Sequence, residues 1–170
     1  MNGKDLFLNK LLQVLEGEKD LYRSLLSVLQ QEKKAVINSN LNDLNESGKK
    51  KENLVLKIRI LEEQRITLLK KLCEILELSH HNLTLRTLSD SVGEPYSNRF
   101  KEYHSYLLAL IQSIQEINHS NRDLMTHSLE LIKSSLFFLN NFMGASPVYY
   151  RTGKIQNEKQ SGGRVLCGRI

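Results

Sequence analysis

The side chains in this sequence best equipped for chemistry are five histidines, two cysteines and two asparagines three residues apart. His80 and His81 are neighbours, about 100° apart on a helix, and cannot converge on one ion. His104, His119 and His127 are scattered, with no carboxylate at a ligand spacing such as His-Glu-x-x-His. Cys73 and Cys167 lie in unlike surroundings without a Cys-x-x-Cys spacing, so neither a metal site nor a disulfide framework is expected, and a reducing compartment is the simpler setting. No glycine-rich phosphate loop and no nucleophile elbow occurs. Gly162 and Gly163 read as spacers, because a phosphate loop needs a strand before it. The chain is not read as an enzyme, and no catalytic residue, metal or cofactor is expected.

What remains is the chemistry of recognition. Asn121 falls on a position where the neighbouring pattern is apolar, with Asn118 one turn before it. Either Asn121 is a buried polar group that pairs and fixes helix register, or the two form a notch that a partner helix reads. Arg65 stands in an otherwise apolar seam, where it either pairs with a polar group such as Asn121 or snorkels to solvent. These three residues are the candidate polar register positions.

The elements that must carry them are helices. From Phe100, alternate steps of three and four residues give Phe100, Tyr103, Leu107, Leu110, Ile114, Ile117, Asn121, Leu124, Ser128, Leu131, Ser135, Phe138 and Phe142, an apolar stripe broken at only three positions. No Gly or Pro interrupts residues 98–143, a helix roughly 70 Å long at ~1.5 Å per residue, which must lie against other long helices. The first half of the chain supplies two. Leu8, Leu11, Leu12, Leu15, Tyr22, Leu25, Leu26, Leu29 and Val36 mark a helix over 4–37, in which Gly17 costs ~1 kcal/mol relative to Ala. Asn38, Ser39 and Asn40 signal a tight turn. A second helix over 41–78 follows, with the seam Leu54, Ile58, Leu61, Arg65, Leu68, Leu72, Ile75 and a weak or kinked point at Ser47 and Gly48. Leu83, Leu85 and Leu88 fit one short helix, and Pro95 sets the start of the long one just beyond it. The predicted fold is all-α, three long antiparallel helices in an elongated coiled-coil-like bundle over 1–143.

The far part of the long helix is apolar on nearly every side: Met125, Leu129, Ile132, Leu136, Phe137, Phe138, Leu139, Phe142 and Met143. It is either wedged between both other helices or partly exposed and awaiting a partner.

Composition agrees with a helical bundle, with 40% hydrophobic and 6% aromatic residues, no Trp and two prolines among 170 residues. Of the net charge of +5, four units sit in residues 144–170, where Arg151, Lys154, Lys159, Arg164 and Arg169 face Glu158 alone; the body is nearly balanced. This tail holds six of the Gly and Pro residues and almost no periodicity, so it is expected to be disordered in the free protein, with Val148, Tyr149 and Tyr150 as an apolar island that would fold upon a partner. The longest apolar run, Tyr106 to Ile111, is far short of the ~20 residues of a membrane span, and no signal peptide pattern opens the chain. No membrane insertion is expected, and the cytoplasm is the expected location.

The order and spacing of several short motifs resemble one family. These are Gln31-Glu32-Lys33-Lys34-Ala35, Leu41-x-x-Leu44, Lys51, Leu61-Glu62-Glu63-Gln64-Arg65, Asn118-x-x-Asn121-x-x-Leu124, and Tyr149-x-x-x-Gly153 in the tail. Over nearly the whole chain the pattern is similar to the FlgN flagellar export chaperones. The resemblance implies a cytoplasmic, non-enzymatic chaperone that binds the helical terminal segments of hook-associated proteins of the hook-filament junction, keeps them unassembled and delivers them to the flagellar type III export gate and its ATPase complex. It also implies a client site on the far part of the third helix, here Met125, Leu129, Ile132, Leu136, Phe138, Leu139, Phe142 and Met143, and gate docking by the tail tyrosine. The doubled Tyr149-Tyr150, after Ser146-Pro147, departs from the family pattern; the spacing to Gly153 favours Tyr149.

Two readings from other classes compete. A coiled-coil structural adaptor would explain the helices and predicts stable self-association; a homodimer through the open face is also compatible with a client-free chaperone. A nucleic-acid-binding protein would use Arg164 and Arg169 on phosphates, but the tail lacks a dense basic cluster, and no nucleic acid is expected.

Overall fold

The computed structural model describes residues 3–77 and 84–143, and helices are the only regular elements among them. They are α1 (Gly3–Ile37), α2 (Leu41–Leu76), α3 (Leu85–Ser91) and α4 (Tyr96–Met143). The chain is all-α, as its periodicity requires. It divides into two units, Met1–His127 and Ser128–Ile170.

In the first unit, α1 repeats strictly every seven residues. Leu8, Leu15, Tyr22 and Leu29 occupy one core position; Leu11, Glu18, Leu25 and Glu32 occupy the other, so that every second side chain of that row is a glutamate. Gly17 interrupts neither helix nor row. A Cβ placed there would lie 3.0 Å from Leu61 Cδ1, so the glycine lets α2 approach closely, a return for its backbone entropy that the sequence does not display.

α1 ends in a left-handed turn. Ser39 has φ 53°, its N–H donates to Val36 O, and the Asn40 N–H donates to Ala35 O, which satisfies the last carbonyls of the helix. The Asn40 side chain then accepts from the N–H groups of Asn42 and Asp43 and starts α2. α2 runs unbroken through Ser47 and Gly48, where a kink was expected, and Ser47 is buried. It stops at Leu76, short of the expected Leu78, because Glu77 turns left-handed with its N–H on Cys73 O. α3 is opened by a capping box in which Thr84 and Thr87 bond reciprocally, and α4 begins directly after Pro95.

Partners fix the directions of these helices. Glu18 meets Arg65 and Glu32 meets Lys51, so α2 runs against α1; Glu16 meets Tyr103 and Glu32 meets Asn121, so α4 runs with α1. Apolar and polar layers alternate along this unit. Leu8, Leu11, Leu12 and Leu15 pack with Leu69, Leu72, Phe100 and Leu107, and α3 inserts Leu85 and Leu88 beside them. A second apolar layer joins Leu25, Leu29 and Ile58 with Ile114 and Ile117. Fully burying a Leu or Phe contributes about 2 kcal/mol, so the eleven buried side chains of the first layer anchor the unit. α1 ends five residues after Glu32 and is used up little more than one turn past Asn121.

The second unit is described over residues 128–143, all of them helical. Every residue from Leu129 to Phe142 is exposed. The tail from 144 onward, and with it Tyr149, Tyr150, Gly153 and Cys167, lies outside the described residues, as do His80 and His81.

Candidate functional site

Two groups of side chains stand out, one buried and one exposed. The buried group is the pair of polar layers. Arg65 was expected to pair with a polar group such as Asn121 or to snorkel; it does pair, but with Glu18, its Nε donating to Oε1 at 2.8 Å, because the direction of α2 sets it beside α1 one apolar layer away from Asn121. Glu18 is 1% exposed, and burial pushes its carboxyl above the usual carboxylate range, against the pull of Arg65. Tyr22 donates to Glu62 at 2.7 Å, with its phenol raised by burial and by that carboxylate. Glu16 takes hydrogen bonds from Lys19 and Tyr103, which hold its carboxyl below the usual value.

Asn121, 1% exposed, is the centre of the second polar layer. Its Nδ2 donates to Leu29 O at 2.8 Å and to Glu32 Oε2 at 2.9 Å, while Lys51 reaches the other Glu32 oxygen. Lys33 Nζ adds a bond to Ser120 Oγ at 3.2 Å. Asn118, grouped with Asn121 in the sequence, is exposed and takes no part in this layer. Sequence reasoning missed Glu18, and it named Glu32 and Lys51 only within family motifs, without a place in a polar layer. The available signal was spacing: Glu18 and Glu32 are fourteen residues apart, and so are Arg65 and Lys51. None of these groups forms a reactive set. Cys73 is buried, and burial raises its thiol, which leaves it inert. Among the described residues no cluster of His, Cys, Asp or Glu could hold a metal, and no helix is long and apolar enough to cross a membrane.

The exposed group is on the far part of α4. Leu129, Ile132, Leu136, Phe138, Leu139 and Phe142, all expected site residues, are each more than half exposed, as are Leu131 and Phe137. At 100° per residue, Leu129, Ile132, Leu136 and Leu139 align as an aliphatic stripe. Leu131, Phe138 and Phe142 form a second stripe in which the two rings stack at 6.0 Å, with Ser135 between. Phe137 points away from both. Met125 is partly buried in the first unit, in phase with the aliphatic stripe; Met143 shares that phase, but its side chain lies outside those described. Leu131 was legible as a seam position, although the site expected from sequence left it out. Between Ser128 and Met143 the only charges are Glu130 and Lys133.

An apolar face of this extent, exposed rather than gathered into a concave pocket, has the form of a protein–protein contact surface and not that of a small-molecule site. The groove between α3 and α4, lined by Arg86, Asp90, Lys101 and His104, is wide open and gathers no reactive set. No curated protein and no solved structure matches the chain. The family described as FlgN protein matches over residues 1–157, which takes in both polar layers, the exposed face and Tyr149 to Gly153. The chain therefore belongs to the FlgN family of flagellar chaperones.

Proposed function

We propose that this protein is a cytoplasmic flagellar type III export chaperone that holds the helical terminal segments of hook-associated proteins on residues 129–142 of α4 and delivers them to the export gate and its ATPase complex. The observation that carries the reading is the exposure of that face: seven large apolar side chains in two stripes, with Phe142 74% exposed. A disordered terminus with apolar heptads would assemble prematurely, and such a face can cover it. Tyr149, with Gly153 and secondarily Tyr150, is assigned to gate docking on the family resemblance. In client-free protein the same face is open to weak, partial pairing with a second copy of the chain. In this reading residues 1–143 are the helical body and 144–170 a tail that orders upon docking.

The test separates the two surfaces. Full-length protein carrying Phe138→Ala and Phe142→Ala, and another carrying Tyr149→Ala, are titrated against a hook-associated protein and against the cytoplasmic domain of the gate. The phenylalanine variant should lose client affinity, about 2 kcal/mol or more per hot-spot ring, with unchanged melting. Tyr149→Ala should weaken only gate binding. Client affinity that survives the loss of both rings would remove the site, and stable self-association without client binding would return the structural adaptor.

A further inference from the structure

The face over residues 129–142 is wider than one helix can cover. At 100° per residue its two stripes are centred about 110° apart, and together they span roughly half the circumference of α4. A single packed helix needs one stripe of about 100°. In the first unit the seam of α4 is narrower and still takes two neighbours, since Phe100 and Leu107 share one apolar cluster with leucines of α1 and with Leu69 and Leu72 of α2. Area points the same way. The exposed apolar side chains of the face offer on the order of 1,000 Å², which reaches the ~800 Å² per partner of a stable complex only if both stripes are covered.

The stripes are also chemically unlike. One is aliphatic throughout; the other carries the stacked rings of Phe138 and Phe142 and a small residue, Ser135, where a backbone can come close. Identical helices would not suit both. A second copy of the chain fits poorly, because a two-fold pairing of α4 on α4 covers one stripe of each copy and leaves the other in water. By helical phase Glu130 lies opposite the two stripes and Lys133 at the outer edge of the aliphatic one, beside Leu129, so neither charge stands within the face.

From this we infer that residues 129–142 receive two unlike amphipathic helices side by side, both supplied by one partner chain. The inference rests on the proposed chaperone role and names the form of its client: two helical segments with uncharged apolar stripes, the docking of the first making that of the second intramolecular.

The test is site-specific photo-cross-linking in the purified complex of the full-length chain with a hook-associated protein. p-Benzoylphenylalanine replaces Leu136 in the aliphatic stripe or Phe142 in the ring stripe, and the linked residues are mapped by mass spectrometry. Helical circular dichroism checks that each variant is folded, as expected for exposed positions. The expected result is that the two probes mark two separate helical segments of one client molecule. Both probes marking the same segment would overturn the two-helix inference while leaving the chaperone role standing. Cross-links only to a second copy of the chain, or none to the client from either position, would overturn the inference and the chaperone role together.

Discussion

Glu32 of α1 and Asn121 of α4, on helices that run in the same direction, meet as carboxylate and amide at 2.9 Å with both side chains withdrawn from water. The amide spends both its hydrogens, one on Glu32 and one on Leu29 O, while among the described residues its own Oδ1 finds no donor. A half-satisfied buried polar group costs stability, and what it supplies is register: the seam of α4 can match this point of α1 in only one place.

Asn121→Leu removes two donors and leaves Glu32 dependent on Lys51, which should cost about 1–3 kcal/mol in chemical denaturation. Adding Glu32→Met should recover most of that loss, because the partly exposed Lys51 can reach water while the apolar pair packs. Additive losses in this double-mutant cycle would mean that the two residues do not act as a pair.

Glu18 makes a pH prediction. Its folded pKa is raised, first by burial, so the native state holds more protons than the unfolded chain from the ordinary Glu value of ~4.3 upward. Stability from this group is therefore greatest below that value and falls as pH rises through the folded pKa. Glu18→Gln should remove the effect. Wild type should lose stability relative to this variant with rising pH, by no more than about 1.4 kcal/mol per pH unit, measured by urea denaturation at stepped pH. The opposing contributions of Glu16 and Glu46, whose values are lowered, cancel in the comparison.

Gly17 should behave as a contact rather than as a flaw. Gly17→Ala gains up to about 1 kcal/mol of helix propensity but presses on Leu61 Cδ1. The gain should be larger by about 0.5 kcal/mol or more in a Leu61→Ala background than in wild type. Equal effects on thermal melting in both backgrounds would show that the helices have room to spare at this point.

Exposure alone does not make a binding residue. Phe137 is 70% exposed yet out of phase with both stripes, whereas Phe142 lies within one. Phe142→Ser should reduce client affinity at least tenfold, about 1.4 kcal/mol, and Phe137→Ser several times less, with melting unaffected by either. Equal losses in isothermal titration would mean that the client wraps α4 completely.

Much of this protein is local and can be read from its sequence. Seven-residue spacing places Leu8, Leu15 and Leu29 on one side of α1 and Phe100, Leu107 and Asn121 on one side of α4, and Asn38 to Asn40 mark the turn, because periodicity and capping depend on residues within a turn or two of each other. Which partner each seam meets is not local. Arg65 pairs with Glu18 rather than Asn121 only because α2 folds back against α1 in a register set by contacts 47 residues apart in sequence. Gly17 reads as a helix weakness until Leu61 arrives beside it. Apolarity in residues 129–142 was plain from the start, but the same residues would serve equally as a wedged core or an open face. Periodicity records which side of a helix avoids water and not what is present to cover it; only the tertiary structure, in which those side chains stand exposed, decided between the two.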